Sequence, residues 1–167
     1  MNKHQDTPYY QQGLTLIELM LVMVLAAMLT SWGVSQWQHY QQALRLEQTA
    51  QQLLAFLTRL QADANWHNRN ALIWLRPGQP WCVGSGVPEV PCTTQAGWVF
   101  TPEYPEVELQ GFTQKEMGFY GVRNNAQAGH ILLGNRVGRI RLVLSAKGRL
   151  RLCSEETIIR SIALCQS

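Results

Sequence analysis

Five basic side chains near the carboxyl end, Arg139, Arg141, Lys147, Arg149 and Arg151, have the spacing of a binding surface. Ile140, Leu142 and Leu144 alternate with Arg139, Arg141 and Val143, and Leu150 and Leu152 alternate with Arg149 and Arg151, the period of two that marks strands with one buried face. A three-residue loop, Ala146-Lys147-Gly148, with its glycine in the left-handed position keeps the leucines on one face and the arginines on the other. A slip of one residue would mix the two sets. The predicted result is an exposed ladder of four arginines with Lys147 at its tip. From 135 to 167 there are seven basic residues against two acidic ones, a local balance of +5 in a chain of net charge +3. Such a face holds phosphates through salt-sensitive contacts that read no base sequence, meets an acidic partner, or serves only as a charged, solvated sheet edge.

The four cysteines lie as two near pairs, Cys82 with Cys92 and Cys153 with Cys165. Three connectivities exist in principle. Local closure is favoured, because each pair would tie a turn-rich or terminal segment to an adjacent strand, at about 2 to 4 kcal/mol per bridge. Cysteines at this density in an exported chain point to an oxidising compartment. Zinc is excluded by spacing, since there is no Cys-x-x-Cys and no histidine cluster. Glu103, Glu106 and Glu108 lack the loop of a calcium site, and Asp63 and His67, one helical turn apart, suit an ion pair or a cap. Ser85, Ser145 and Ser154 sit in no nucleophile elbow, and no glycine-rich phosphate loop occurs. Neither enzymatic activity nor a metal or cofactor is expected.

The remaining chemistry lies at the other end. Between 14 and 34 the only formal charge is Glu18, and an apolar helix of about 20 residues spans one hydrocarbon core of roughly 30 Å. A carboxylate placed there costs about 2.5 to 3.5 kcal/mol, so it needs a partner, a snorkelling route to the headgroups, or a proton. No basic residue lies within a helical turn of it. A secretory signal peptide would carry its small-residue cleavage site after the apolar core, whereas Gly13 stands in front. The order Gly13-Leu14-Thr15-Leu16-Ile17-Glu18 resembles the type III signal of type IV pilins and type II secretion pseudopilins. The resemblance implies a leader over 1–13, cleavage after Gly13 by prepilin peptidase, and methylation of the new amino terminus at Leu14. It also implies a partner for Glu18, the charged amino terminus of a neighbouring subunit. One departure is that such chains usually begin with Phe. Lys3 and the α-amino group against Asp6 place the amino terminus on the cytoplasmic side.

The elements that hold these residues follow from period and punctuation. No proline interrupts the chain between 14 and Pro77, and Leu46, Ala50, Leu53, Leu57 and Leu60 recur at helical spacing with Arg45, Gln48, Gln52 and Arg59 on another face. A transmembrane helix segment over 14–34 therefore continues as an amphipathic helix over 35–66, with Trp32, Trp37 and Tyr40 where an aromatic belt or neighbouring helices would meet it. Over 67–167 the pattern changes to short strands, predicted at 71–76, 79–83, 97–101, 107–112, 118–122, 130–133, 139–144 and 149–153, with a linker-like stretch at 84–95. The expected fold is α+β: a long N-terminal helix packed on an antiparallel β domain, as a sandwich or a pair of sheets. With 167 residues and 46% apolar content, the part outside the bilayer supports one modest core.

Two copies of Gly-Arg-x-Arg, at 138–141 and 148–151, together with the stretches 63–69, 129–131 and 144–153, are similar to the FimT/GspH-like minor pilins. That resemblance implies a low-abundance subunit anchored in the inner membrane with a periplasmic domain, assembling with other minor pilins and the major pilin to initiate or cap a filament. An H-type pseudopilin of type II secretion, a tip subunit capturing DNA through the arginine face, and an anchored domain that never polymerises are the alternatives.

Overall fold

The computed structural model describes residues 15–87, 92, 98–121 and 125–166. Helix α1 runs Leu16–Trp66, which the lack of proline and the single intervening glycine, Gly33, allow. It begins on Thr15, whose hydroxyl accepts the Glu18 amide at 3.4 Å, half of a capping box. It ends in a Schellman turn. Asn68, at φ 47°, takes the left-handed position, while the Arg69 amide donates to the Ala64 carbonyl at 3.0 Å and the Asn68 amide to the Asn65 carbonyl at 3.4 Å. Gly121 lies against this turn: a Cβ there would sit 2.5 Å from the Arg69 nitrogen and 2.7 Å from the Ala64 oxygen, both backbone atoms with no room to yield.

Two compact units divide the chain, Met1–Gln38 and His39–Ser167. In the first, every described side chain is exposed, and this part of α1 is long and apolar enough to cross a membrane. In the second, helix residues up to Trp66 meet two antiparallel sheets. One contains β1 (Ala71–Arg76), β2 (Cys82–Ser85), β3 (Trp98–Phe100), β5 (Met117–Tyr120) and β6 (Asn125–Gln127), in the order β3-β2-β1-β5-β6. The other contains β4 (Glu108–Phe112), β7 (Gly129–Gly134), β8 (Arg139–Leu144) and β9 (Leu150–Ser154), in the order β4-β7-β8-β9. A type IV pilin-like α+β arrangement results, with one long helix packed against an antiparallel β domain.

Burial follows the helical spacing. Leu46, Ala50, Leu53, Leu57, Leu60 and Ala64 are all buried, against Ile73, Val83 and Phe119 of one sheet and Ile131, Ile140, Leu142 and Leu144 of the other. Each such large side chain contributes about 1.5 to 3 kcal/mol by leaving water. Arg45 and Gln48, on another face of the helix than the leucines, also make contacts with the domain. Arg45 pairs with Glu106 and lies 5.4 Å over the Tyr104 ring, and the Tyr104 hydroxyl donates to Gln48 at 3.2 Å. Asn135 donates to the Gln42 carbonyl and Gln61 to the Gly148 carbonyl, both at 2.8 Å. These polar links set where along its axis the helix seats.

Several strand boundaries shift from the predicted ones. β2 starts at Cys82 and not at 79, because Pro80 has no amide to enter a ladder. β2 also takes Gly84 and Ser85 from the segment read as a linker, most of whose remainder lies outside the described residues. β6, three residues long with Ala126 as its one buried side chain, is too short to show a period.

Candidate assembly site and the basic face

Of the predicted processing residues, Gly13 and Leu14 lie outside the described residues. Glu18 stands in the first turn of α1, exposed, with its amide bonded to Thr15. No cation among the described residues pairs with it. Thr15-x-x-Glu18 is a capping-box pattern legible in the sequence but missed there.

In the β8–β9 hairpin Leu144 is opposite Leu150 and Leu142 opposite Leu152. The Ser145 amide donates to the Arg149 carbonyl and the Gly148 amide to the Ser145 carbonyl, each at 2.9 Å, around a three-residue loop with Gly148 at φ 73°. The leucines face the core and the arginines face outward, but the predicted ladder of free cations is divided. Arg139 pairs with Glu156 and, at 3.4 Å, with Glu155, and Arg141 pairs with Glu155. The cause is register. Ile140 is opposite Ser154, so the chain leaving β9 carries Glu155 and Glu156 past the start of β8. Of the five predicted cations, Lys147, Arg149 and Arg151 remain without a carboxylate partner among the described residues, around a shallow concavity of about 470 Å³.

Cys82 is bonded to Cys92 and Cys153 to Cys165. Asp63 accepts from Arg69 and lies 3.0 Å from His67 Nδ1, at the helix end. The Arg69 guanidinium holds the Asp63 carboxyl below its ordinary range, and the hydrogen bond from Arg45 does the same for Glu106. A carboxyl whose folded pKa is depressed stabilises the fold fully above its unfolded value, near 4.5 for Glu106, and loses that contribution as pH falls through the folded value. Glu106→Gln is therefore expected to be less stable than the wild type at pH 7, with the difference shrinking toward zero in strong acid. Urea titrations of both chains across this range test it.

Sequence reasoning missed one buried charge. Glu47 is 7% exposed and accepts from Arg160 Nε at 2.6 Å, from the Ser161 hydroxyl, and from Gln51 at 3.2 Å. Arg160 also lies 4.8 Å over the Tyr40 ring. A lone Glu beside Gln48 reads as a solvent-facing helix residue, and its partners Arg160 and Ser161 are more than a hundred residues away.

A family model, the prokaryotic N-terminal methylation motif, matches residues 9–34, a segment that contains Gly13, Leu14 and Glu18. The motif is that of type IV prepilin-like substrates of prepilin peptidase, and the long apolar helix fits a single-pass membrane anchor. Pilin-like proteins are in general not enzymes. No curated protein and no solved structure matches the chain.

Proposed function

We propose that this chain is a minor pilin or pseudopilin, cut after Gly13 by prepilin peptidase and methylated at Leu14. Glu18 then meets the charged amino terminus of a neighbouring subunit. The subunit joins other minor pilins and the major pilin to initiate or cap a type IV pilus or a related filament. Before assembly it sits in the inner membrane, amino terminus cytoplasmic and β domain periplasmic, where the two disulfides suit an oxidising compartment. The observation that carries the reading is the carboxylate of Glu18, without a partner among the described residues in an apolar helix. A charge of that kind in hydrocarbon is costly, and a counter-charge from a neighbouring subunit would offset the cost.

An H-type pseudopilin of type II secretion would share each of these features. DNA capture through the basic face is the weaker reading, because Glu155 and Glu156 neutralise two of its four arginines. Expression with and without prepilin peptidase, followed by mass spectrometry of the amino terminus, tests the main proposal. A methylated Leu14 terminus supports it, and an uncut chain in the presence of the enzyme refutes it.

A further inference from the structure

Strand β9 is an edge of its sheet, and its outward backbone is only partly used. Because the Ser145 amide bonds the Arg149 carbonyl, the alternating ladder turns the backbone groups of Arg149, Arg151 and Cys153 toward β8 and those of Leu150, Leu152 and Ser154 outward. Those of Ser154 are taken: its amide donates to the Ala163 carbonyl and its carbonyl accepts from the Cys165 amide, both at 2.8 Å. This parallel bridge stands beside the Cys153–Cys165 disulfide. The outward groups of Leu150 and Leu152 have no backbone partner among the described residues. The edge thus already holds one extended segment at one end and is open at the other.

The side chains along the open stretch select what fits. Arg149 and Arg151 are exposed on the outer face, with Lys147 at the hairpin tip, and Leu150 and Leu152 are half-buried on the inner face. A second copy of β9 laid antiparallel on this edge would set arginine against arginine, which is destabilising. A nucleic acid would answer the cations but not the edge, because phosphate oxygens cannot bond the outward carbonyls of Leu150 and Leu152. A strand with acidic residues on one face and apolar residues on the other answers all three features.

We propose that the β9 edge at Leu150 and Leu152 takes an extended acidic segment of a partner protein as an added strand, with its carboxylates against Arg149 and Arg151. This interaction stands apart from polymerisation. The test uses the full chain in detergent micelles and three labelled probes: a capped peptide of alternating glutamate and valine, its analogue with alternate backbone nitrogens methylated, and a single-stranded oligonucleotide of similar charge. The peptide is expected to bind, and the methylated analogue to bind about tenfold more weakly or worse. The double variant Arg149→Glu with Arg151→Glu, whose exposed positions leave the fold intact by circular dichroism, is expected to lose about tenfold or more in affinity for the peptide. Equal binding of the methylated analogue would overturn the proposal in favour of charge alone. Binding of the oligonucleotide and not the peptide, an unchanged double variant, or no peptide binding at all would also overturn it.

Discussion

Glu18→Ala should be cut by prepilin peptidase as the wild type is, yet cross-link to neighbouring subunits about tenfold less or worse. The magnitude follows from the cost of a charge in hydrocarbon, about 2.5 to 3.5 kcal/mol, which a counter-charge from a neighbour would offset. Removing the carboxylate removes the reason for that neighbour to dock in register. The Thr15-x-x-Glu18 capping-box pattern supplies a competing role for the side chain, and Glu18→Gln separates the two. Glutamine keeps the capping-box pattern but not the charge. If the charge matters, the glutamine variant fails as the alanine variant does. Recovery of cross-linking with glutamine would assign the residue to helix capping alone.

The largest effect on stability is expected inside the β domain's helical seat. Leu57 is fully buried in the core, so Leu57→Ala should lower the unfolding free energy by about 2 to 5 kcal/mol, the lost transfer energy plus a cavity. Leu21 is of the same residue type on the same helix but is 61% exposed, in the apolar stretch. Leu21→Ala should leave the unfolding of the domain unchanged. Denaturant titration of the full chain in micelles, followed by near-ultraviolet circular dichroism, compares the two. Equal losses would mean that the helix and the domain do not melt as the burial pattern requires.

Much of this architecture was legible because its signals are periodic. Leu46, Ala50, Leu53, Leu57 and Leu60 mark the buried stripe of α1, and the leucine alternation with Gly148 specified the register of the last hairpin. What escaped was tertiary. The neutralisation of Arg139 and Arg141 depends on where the chain goes after β9, although the predicted register, carried three residues further, would have set Glu155 and Glu156 beside them. Glu47 offered no signal at all, since nothing local distinguishes a carboxylate that turns inward to Arg160 from one that faces water. β6 was lost for another reason: a three-residue strand pairing with β5, with Ala126 its one apolar side chain, is too short for a period to be read.

The contact between Glu47 and the residues Arg160 and Ser161 joins an early part of the chain to almost its last residues. During synthesis the helix exists as sequence long before the guanidinium that seats it. Any chain interrupted before Arg160 keeps a carboxylate on the face that packs into the domain, with only the Gln51 amide left to meet it. A product truncated there therefore carries its defect at a site more than a hundred residues along the sequence from the break.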